Sequence, residues 1–290
     1  MLTIPKILIL AIIQGATELL PVSSSAHVIV AEKLMGLDPT APAMTLLLVM
    51  LHTGTMLAVI VFFWNSWKTD FFKSTQVLGQ SIKLIIAATV ATGLVGLLLK
   101  IIIEKTLLKG FSHPEVEDLF GNLLLIAASL AVVGVLILCT GLKKEDPLAP
   151  KKALTLNSAW LIGMVQGICL PFRGFSRSGA TISSGLILGI EKKLLEDFSF
   201  ALAVVLTPPV ILVEALRFLK AQHATALHHH GVGVLGLFMP SLLGMALSFV
   251  SGLLALKWLS AWLAEGRWYL FGFYCIAASL IIFIVQAHGL

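Results

Sequence analysis

Along this chain long apolar stretches alternate with short polar joints. Residues 44–63, 119–142, 232–256 and 268–287 contain no Asp, Glu, Lys or Arg over the length needed to cross a bilayer, and each predicts a transmembrane helix. Residues 84–99, continuing past Lys100 to Ile103, and residues 198–213, continuing towards Phe218, are uncharged over 16 residues. They span once the charged side chains at their ends snorkel to the interface, which brings the predicted spans to six. Residues 4–36 and 153–190 resist the same reading. Each is apolar overall but is broken in its middle by a Pro-containing, hydroxyl-rich cluster, leaving halves of about 11–18 residues, short for a crossing. Such halves suit re-entrant helix pairs, whose irregular tips survive at membrane depth only when buried in protein or lining a wet cavity. Two ordinary spans carrying a few polar residues are the competing reading.

An internal repeat favours the re-entrant pairs. The first region runs Gln14, Gly15, Pro21, Ser23, Ser24, Ser25 and closes on Leu34-Met35-Gly36. The second runs Gln166, Gly167, Pro171, Ser176, Arg177, Ser178 and closes on Ile187-Leu188-Gly189. Each is followed by a span carrying Leu-Ala-Val, at 57–59 and 202–204. Three spans separate the copies, an odd number, so the copies lie upside down relative to each other. This is the inverted-repeat arrangement whose special site sits where the broken helices meet near the midplane. The expected fold is an all-α polytopic membrane protein, one integral membrane domain over residues 1–290. Its first half is 1–142 with the re-entrant pair 4–36, its second half is 153–290 with the pair 153–190, and residues 143–152 form a cytoplasmic linker.

Composition agrees with the pattern. At 58% hydrophobic and 12% charged residues, with a mean hydropathy of +0.99, a soluble globular protein is excluded and no room remains for a sizeable aqueous domain. The net charge of +5 lies mostly between the apolar stretches, where it faces anionic lipid headgroups rather than nucleic acid. Cys139, Cys169 and Cys275 sit within apolar runs without ligand-like spacing and are expected to be buried thiols. Residues 7–13 are too short an apolar run, and too polar a cluster follows, for a cleaved signal peptide.

Loop charge sets an orientation. If the 65–80 joint is cytoplasmic, that side collects Lys68, Lys73, Lys143, Lys144, Lys151, Lys152, Lys192, Lys193, Lys257 and Arg267, against Lys33, Lys105, Lys109 and Lys220 opposite. The positive-inside rule then places both termini and the mouth of the first hairpin on the external face.

Two clusters carry candidate chemistry. In QGATELLPVSSSAH, residues 14–27, Gln14 and Glu18 share a helix face, Pro21 ends that helix, Ser23, Ser24 and Ser25 can cap the next, and His27 falls in its first turn. In RGFSRSGAT, residues 173–181, Arg173 and Arg177 have no acid within ten residues and are costly at membrane depth without an anion. Hydroxyls, a guanidinium fork and a helix N-terminus suit phosphate oxygens. Blander roles exist for each. Serines in membrane helices back-bond to carbonyls, His27 can be a packing residue, and His52 and Glu214 can be structural. Arg177 can form a buried ion pair with Glu18. The coincidence of acid, imidazole, hydroxyls and arginine in matching breaks favours function. His228, His229 and His230 could bind a metal, with a solvated polar turn the favoured reading, and Pro208 with Pro209 predicts a kink.

At these residues the chain resembles the undecaprenyl-diphosphate phosphatase family, also called bacitracin-resistance proteins. The matches are Gln14-Gly15 to Glu18 against an (E/Q)xxxE pattern, LPVSSSAH at 20–27 and GFSRSGAT at 174–181. The resemblance covers essentially the whole chain. It implies a bacterial inner-membrane enzyme, with its site open to the external face, that hydrolyses undecaprenyl diphosphate to the monophosphate and inorganic phosphate, recycling the lipid carrier of cell-wall glycans and conferring bacitracin resistance. It also implies functional positions at Gln14, Glu18, Ser24, His27, Ser176, Arg177 and Thr181, and a divalent cation, Mg²⁺ or Ca²⁺, held by Glu18 and Gln14. Expected partners are the lipid substrate, membrane lipids and a second copy in a homodimer, with no nucleic acid. Arg173 stands where the family usually has Pro, and Ala26 where Gly is usual. The rival readings are a secondary transporter or polyprenyl-phosphate flippase using the same anion site, and a membrane scaffold, which leaves the two arginines unexplained.

Overall fold

The computed structural model describes residues 2–38, 41–106, 116–143, 151–226 and 234–288. Among these the chain forms ten α-helices and no strand: α1 (Ile4–Leu19), α2 (Ser24–Leu34), α3 (Pro42–Asp70), α4 (Thr75–Thr106), α5 (Leu123–Gly141), α6 (Leu156–Cys169), α7 (Arg177–Ile187), α8 (Lys192–Ala226), α9 (Val234–Ala264) and α10 (Tyr269–Ala287). Six of them, α3, α4, α5, α8, α9 and α10, are long and apolar enough to cross a membrane, so the protein is a multi-pass membrane protein of the expected all-α class. His228 to His230, Lys109 and Lys144 lie outside the described residues, as does most of the 143–152 linker and the side chain of Glu214.

The helices overrun the apolar stretches that announce them. α3 continues to Asp70, so the joint to α4 shrinks to residues 71–74. The first charged residue marks the edge of the hydrocarbon, whereas a helix ends only where its backbone groups find other partners. α5 starts later than the uncharged run because Asn122 caps it, accepting from the amides of Leu124 and Leu125 at 3.0 and 3.1 Å.

The two remaining pairs are too short to span. α2 and α7 have 11 residues each, about 16 Å of helix against a hydrocarbon core of roughly 30 Å. In the first pair, Pro21 holds Leu20 in an extended conformation (ψ 152°) and Ser23 turns the chain with a positive φ of 65°. In the second, Gly174 supplies the left-handed residue (φ 95°), with its Cα packed against the backbone of Ile126 in α5. Both return helices then close on a left-handed glycine, Gly36 (φ 61°) and Gly189 (φ 81°). The element order α1–α5 repeats as α6–α10, and the packing repeats with it. α1 lies along α9 and its counterpart α6 lies along α4, while the counterparts α5 and α10 pack against each other.

The repeated Gln-Gly dipeptides explain the pairing of α1 with α9 and of α6 with α4. A methyl built on Gly15 would overlap Ser248 and Ser251 of α9, and one on Gly167 would lie 2.8 Å from the carbonyl of Thr92 and from Cβ of Val95 in α4. Only glycine permits these approaches, the usual means by which helices pack where lipid offers no hydrophobic drive. At the lysine-rich face, buried carboxylates tie three helix ends together. Asp197 accepts from Ser66 at 2.6 Å, Glu196 accepts from Ser260, and Lys193 meets Asp70 at 3.1 Å.

Gly167→Leu is therefore expected to overpack the α4–α6 contact by roughly 2–3 kcal/mol and lower the thermal midpoint of the detergent-solubilised protein. Gly93→Ala, on the same α4 with nothing within 4 Å of the added methyl, leaves the midpoint unchanged or raises it. Equal midpoints for the two variants contradict the packing role.

Candidate active site

Both helix breaks converge on one carboxylate. Glu18, in the last turn of α1, accepts from Gln14 Nε2 at 3.1 Å through Oε2, and the same oxygen accepts from the Ser24 hydroxyl. Its other oxygen, Oε1, accepts from Arg177 Nη2 at 3.1 Å, joining residues 159 positions apart. Gln14 reaches Glu18 because four helical residues place them one above the other. Ser24 and Arg177 reach it because each is the first residue of a return helix, at the tip of its hairpin. The guanidinium of Arg177 and the imidazole of His52, from α3, are both within electrostatic reach of this carboxylate. The Arg177 and Glu18 side chains keep 25% and 16% of their surface exposed, so the pair is shielded but open to a ligand.

Two more contacts lock the tips. Ser178 Oγ donates to the carbonyl of Leu20 at 3.5 Å, and the amide of Gly174 donates to Ser25 Oγ at 3.5 Å. From α10, the thiol of Cys275 lies 3.4 Å from the carbonyl of Pro21.

The remaining predicted residues have other partners. His27, one turn into α2, bonds through Nδ1 to its own helix at the Ser23 carbonyl (2.8 Å) and through Nε2 to the hydroxyl of Tyr274 on α10 (2.7 Å). Ser176 caps α7, accepting from the amide of Gly179 at 3.2 Å, and is buried. Ser23 holds the corresponding cap position of α2 but makes no capping bond, and its hydroxyl faces Ser25 at 3.2 Å. Thr181 is turned away from Glu18. Its hydroxyl bonds Ser199 of α8 at 2.6 Å and the Arg177 carbonyl at 2.9 Å, in the packed α7–α8 contact. Arg173 lies over the ring of Phe120, 4.3 Å from its centroid, and acts electrostatically on Glu32, a buried carboxylate of α2. The charge that departs from the usual family Pro thus sits beside an acid of this same chain.

The structure adds Tyr274 to the site. Both tyrosines of the chain lie in α10, and a phenol among its apolar residues calls for a partner, which Tyr274 finds in His27. His52 of α3 acts electrostatically on Glu18, while its Nδ1 bonds the Leu48 carbonyl of its own helix at 2.8 Å. As for a metal, no cluster of three or more His, Cys, Asp or Glu side chains occurs among the described residues. Glu18 and Gln14 offer hard oxygen donors that fit Mg²⁺ or Ca²⁺ provided diphosphate oxygens and water complete the shell.

Comparison with known proteins shows the family. Residues 7–281 match the family described as bacitracin resistance protein BacA. The chain is 57% identical to undecaprenyl-diphosphatase 2 of Acinetobacter baylyi, over 95% of each chain. It is 30% identical to the undecaprenyl-diphosphatase of Rhodopirellula baltica over 97% of each, and 32% identical to that of Desulfatibacillum aliphaticivorans over 96% of this chain and 97% of the other. With the match running from the first half-helix to the last span, the chain belongs to the bacitracin resistance protein BacA family.

Proposed function

We infer that the protein hydrolyses undecaprenyl diphosphate to undecaprenyl phosphate and inorganic phosphate, recycling the lipid carrier of cell-wall glycans. The observation that carries this reading is the junction of Glu18 with Arg177 at the meeting of two half-helices. It presents an anion-binding fork and a helix N-terminus at membrane depth, where a diphosphate joined to a long apolar tail can be bound at both ends. We place the protein in the bacterial inner membrane with its lysine-rich face to the cytoplasm, so that the first hairpin opens externally.

Each residue then has a role that its contacts support. Arg177, with the amides of the first turn of α7, binds the terminal phosphate and stabilises the charge spread over its oxygens during transfer. Ser176 holds that turn in shape, and Ser24 orients the phosphoryl group from the opposite tip. His27 takes the proton of the attacking water at Nε2, since that nitrogen already faces a hydroxyl in the structure. Glu18 and Gln14 would hold the divalent cation, which would neutralise diphosphate charge when bound. Thr181 acts through the packing of α7 on α8.

A transporter reading draws on the inverted repeat of broken helices. Phosphate release separates the two, because in detergent there are no compartments to transport between. Purified protein is expected to release phosphate from the lipid diphosphate. Glu18→Gln, His27→Ala and Arg177→Ala are each expected to lose roughly 10²–10³-fold in kcat/KM, the scale of removing a charge-stabilising or proton-transferring group. Wild-type turnover in all three removes the site, and binding without turnover in the parent protein favours transport. A chelator is expected to abolish release and added Mg²⁺ or Ca²⁺ to restore it; full activity in chelator excludes the cation.

A further inference from the structure

The hydrogen bonds of His27 fix more than its position. Nδ1 lies 2.8 Å from the Ser23 carbonyl, which can only accept, so Nδ1 carries a proton. In the neutral ring Nε2 is then a lone pair, and the Tyr274 hydroxyl 2.7 Å away donates to it. The two rings are also stacked, with centroids 5.6 Å apart and planes 15° from parallel. Tyr274 comes from α10, in the opposite half of the repeat, and is 47% exposed. It therefore has room to withdraw its hydroxyl without unpacking the core.

We propose that Tyr274 is a positioning residue for the hydrolysis, holding His27 in the Nδ1–H tautomer with its ring plane fixed and its Nε2 lone pair filled by a hydroxyl where the attacking water will stand. On substrate entry the water replaces the phenol, donates its hydrogen to Nε2, and passes that proton to the imidazole as its oxygen bonds to phosphorus and the bond from phosphorus to the bridging oxygen breaks, its electron pair leaving with undecaprenyl phosphate. The phenol keeps its own proton throughout. This rests on the reading of His27 as the base, and it supplies what that reading lacks, the reason Nε2 is an oriented lone pair before substrate binds.

The test uses the full chain in detergent with ¹⁵N-labelled histidine, the His27 signals being assigned by their loss in His27→Asn. Above neutral pH, wild-type protein is expected to show His27 protonated at Nδ1 with a hydrogen-bonded, unprotonated Nε2. In Tyr274→Phe, which keeps the ring and loses the hydroxyl, the Nε2 signal moves downfield to that of a lone pair without a donor. In the phosphate-release assay, the same variant is expected to lose about tenfold in kcat, the scale of removing a group that orients a reacting one, with KM within about twofold. Adding Tyr274→Phe to His27→Ala costs nothing further. A proton found on Nε2, an unmoved Nε2 signal in Tyr274→Phe, or unchanged kcat in that variant overturns the proposal. Wild-type turnover in His27→Ala instead defeats the reading of His27 as base, leaving the spectrum to judge the contact.

Discussion

A guanidinium and a carboxylate at membrane depth must be brought to each other or to ions, and this requirement shapes the fold. Neither Glu18 nor Arg177 has a nearby opposite charge within its own hairpin, so each hairpin alone carries an uncompensated charge. Joining them demands two half-helices that stop short of crossing, with their tips at a common depth. Pro21 and Gly174 provide the stops, and the 16 and 14 residues of α1 and α6 provide the reach. Removing one partner strands the other, at less than the roughly 3–5 kcal/mol of a fully buried pair because both side chains keep some exposure. Folding and ligand binding thus depend on the same bond.

That dependence gives the resting site a defined readiness. Glu18 is saturated by Gln14, Ser24 and Arg177, so the arginine is neither an exposed positive charge nor locked in a fully buried pair. A diphosphate brings more negative charge than one carboxylate and can draw on guanidinium donors that Glu18 leaves unused, since a single Nη2 contact occupies only part of the fork.

Much of this was legible in the sequence, for a physical reason. Apolar runs without charge must lie in hydrocarbon, and breaks inside them must be buried, so the spans, both hairpins and the cluster of Gln14, Glu18, Ser24 and Arg177 follow from residue type and order. The helix ends did not follow, because Trp67 and Asp70 extend α3 through interfacial contacts that hydropathy does not register. Thr181 lies near Arg177 in sequence, yet the turn of α7 aims it at Ser199, a direction set by which helix packs alongside. Tyr274 escaped for the converse reason. It lies among apolar residues of α10, far along the chain from the first hairpin, and only the approach of the two in the fold gives its hydroxyl His27 as a partner.

The repeat itself accounts for how one site came to hold unlike groups. Ser24 and Arg177 are the same position twice, the first residue of an 11-residue return helix, and both bond the one carboxylate from opposite sides. Gly15 and Gly167 also correspond, and both serve packing. The preceding glutamines have diverged in what they bond. Gln14 serves Glu18, whereas Gln166 is fully buried and donates to Thr92 at 3.0 Å. Four residues on, the first copy has Glu18 and the second Leu170. A twofold-related pair of carboxylates would repel at the axis, and a pair of arginines would do the same. The symmetry can be kept by the backbone and the glycines only if the side chains at its centre break it, with acid and imidazole in one copy and arginine in the other.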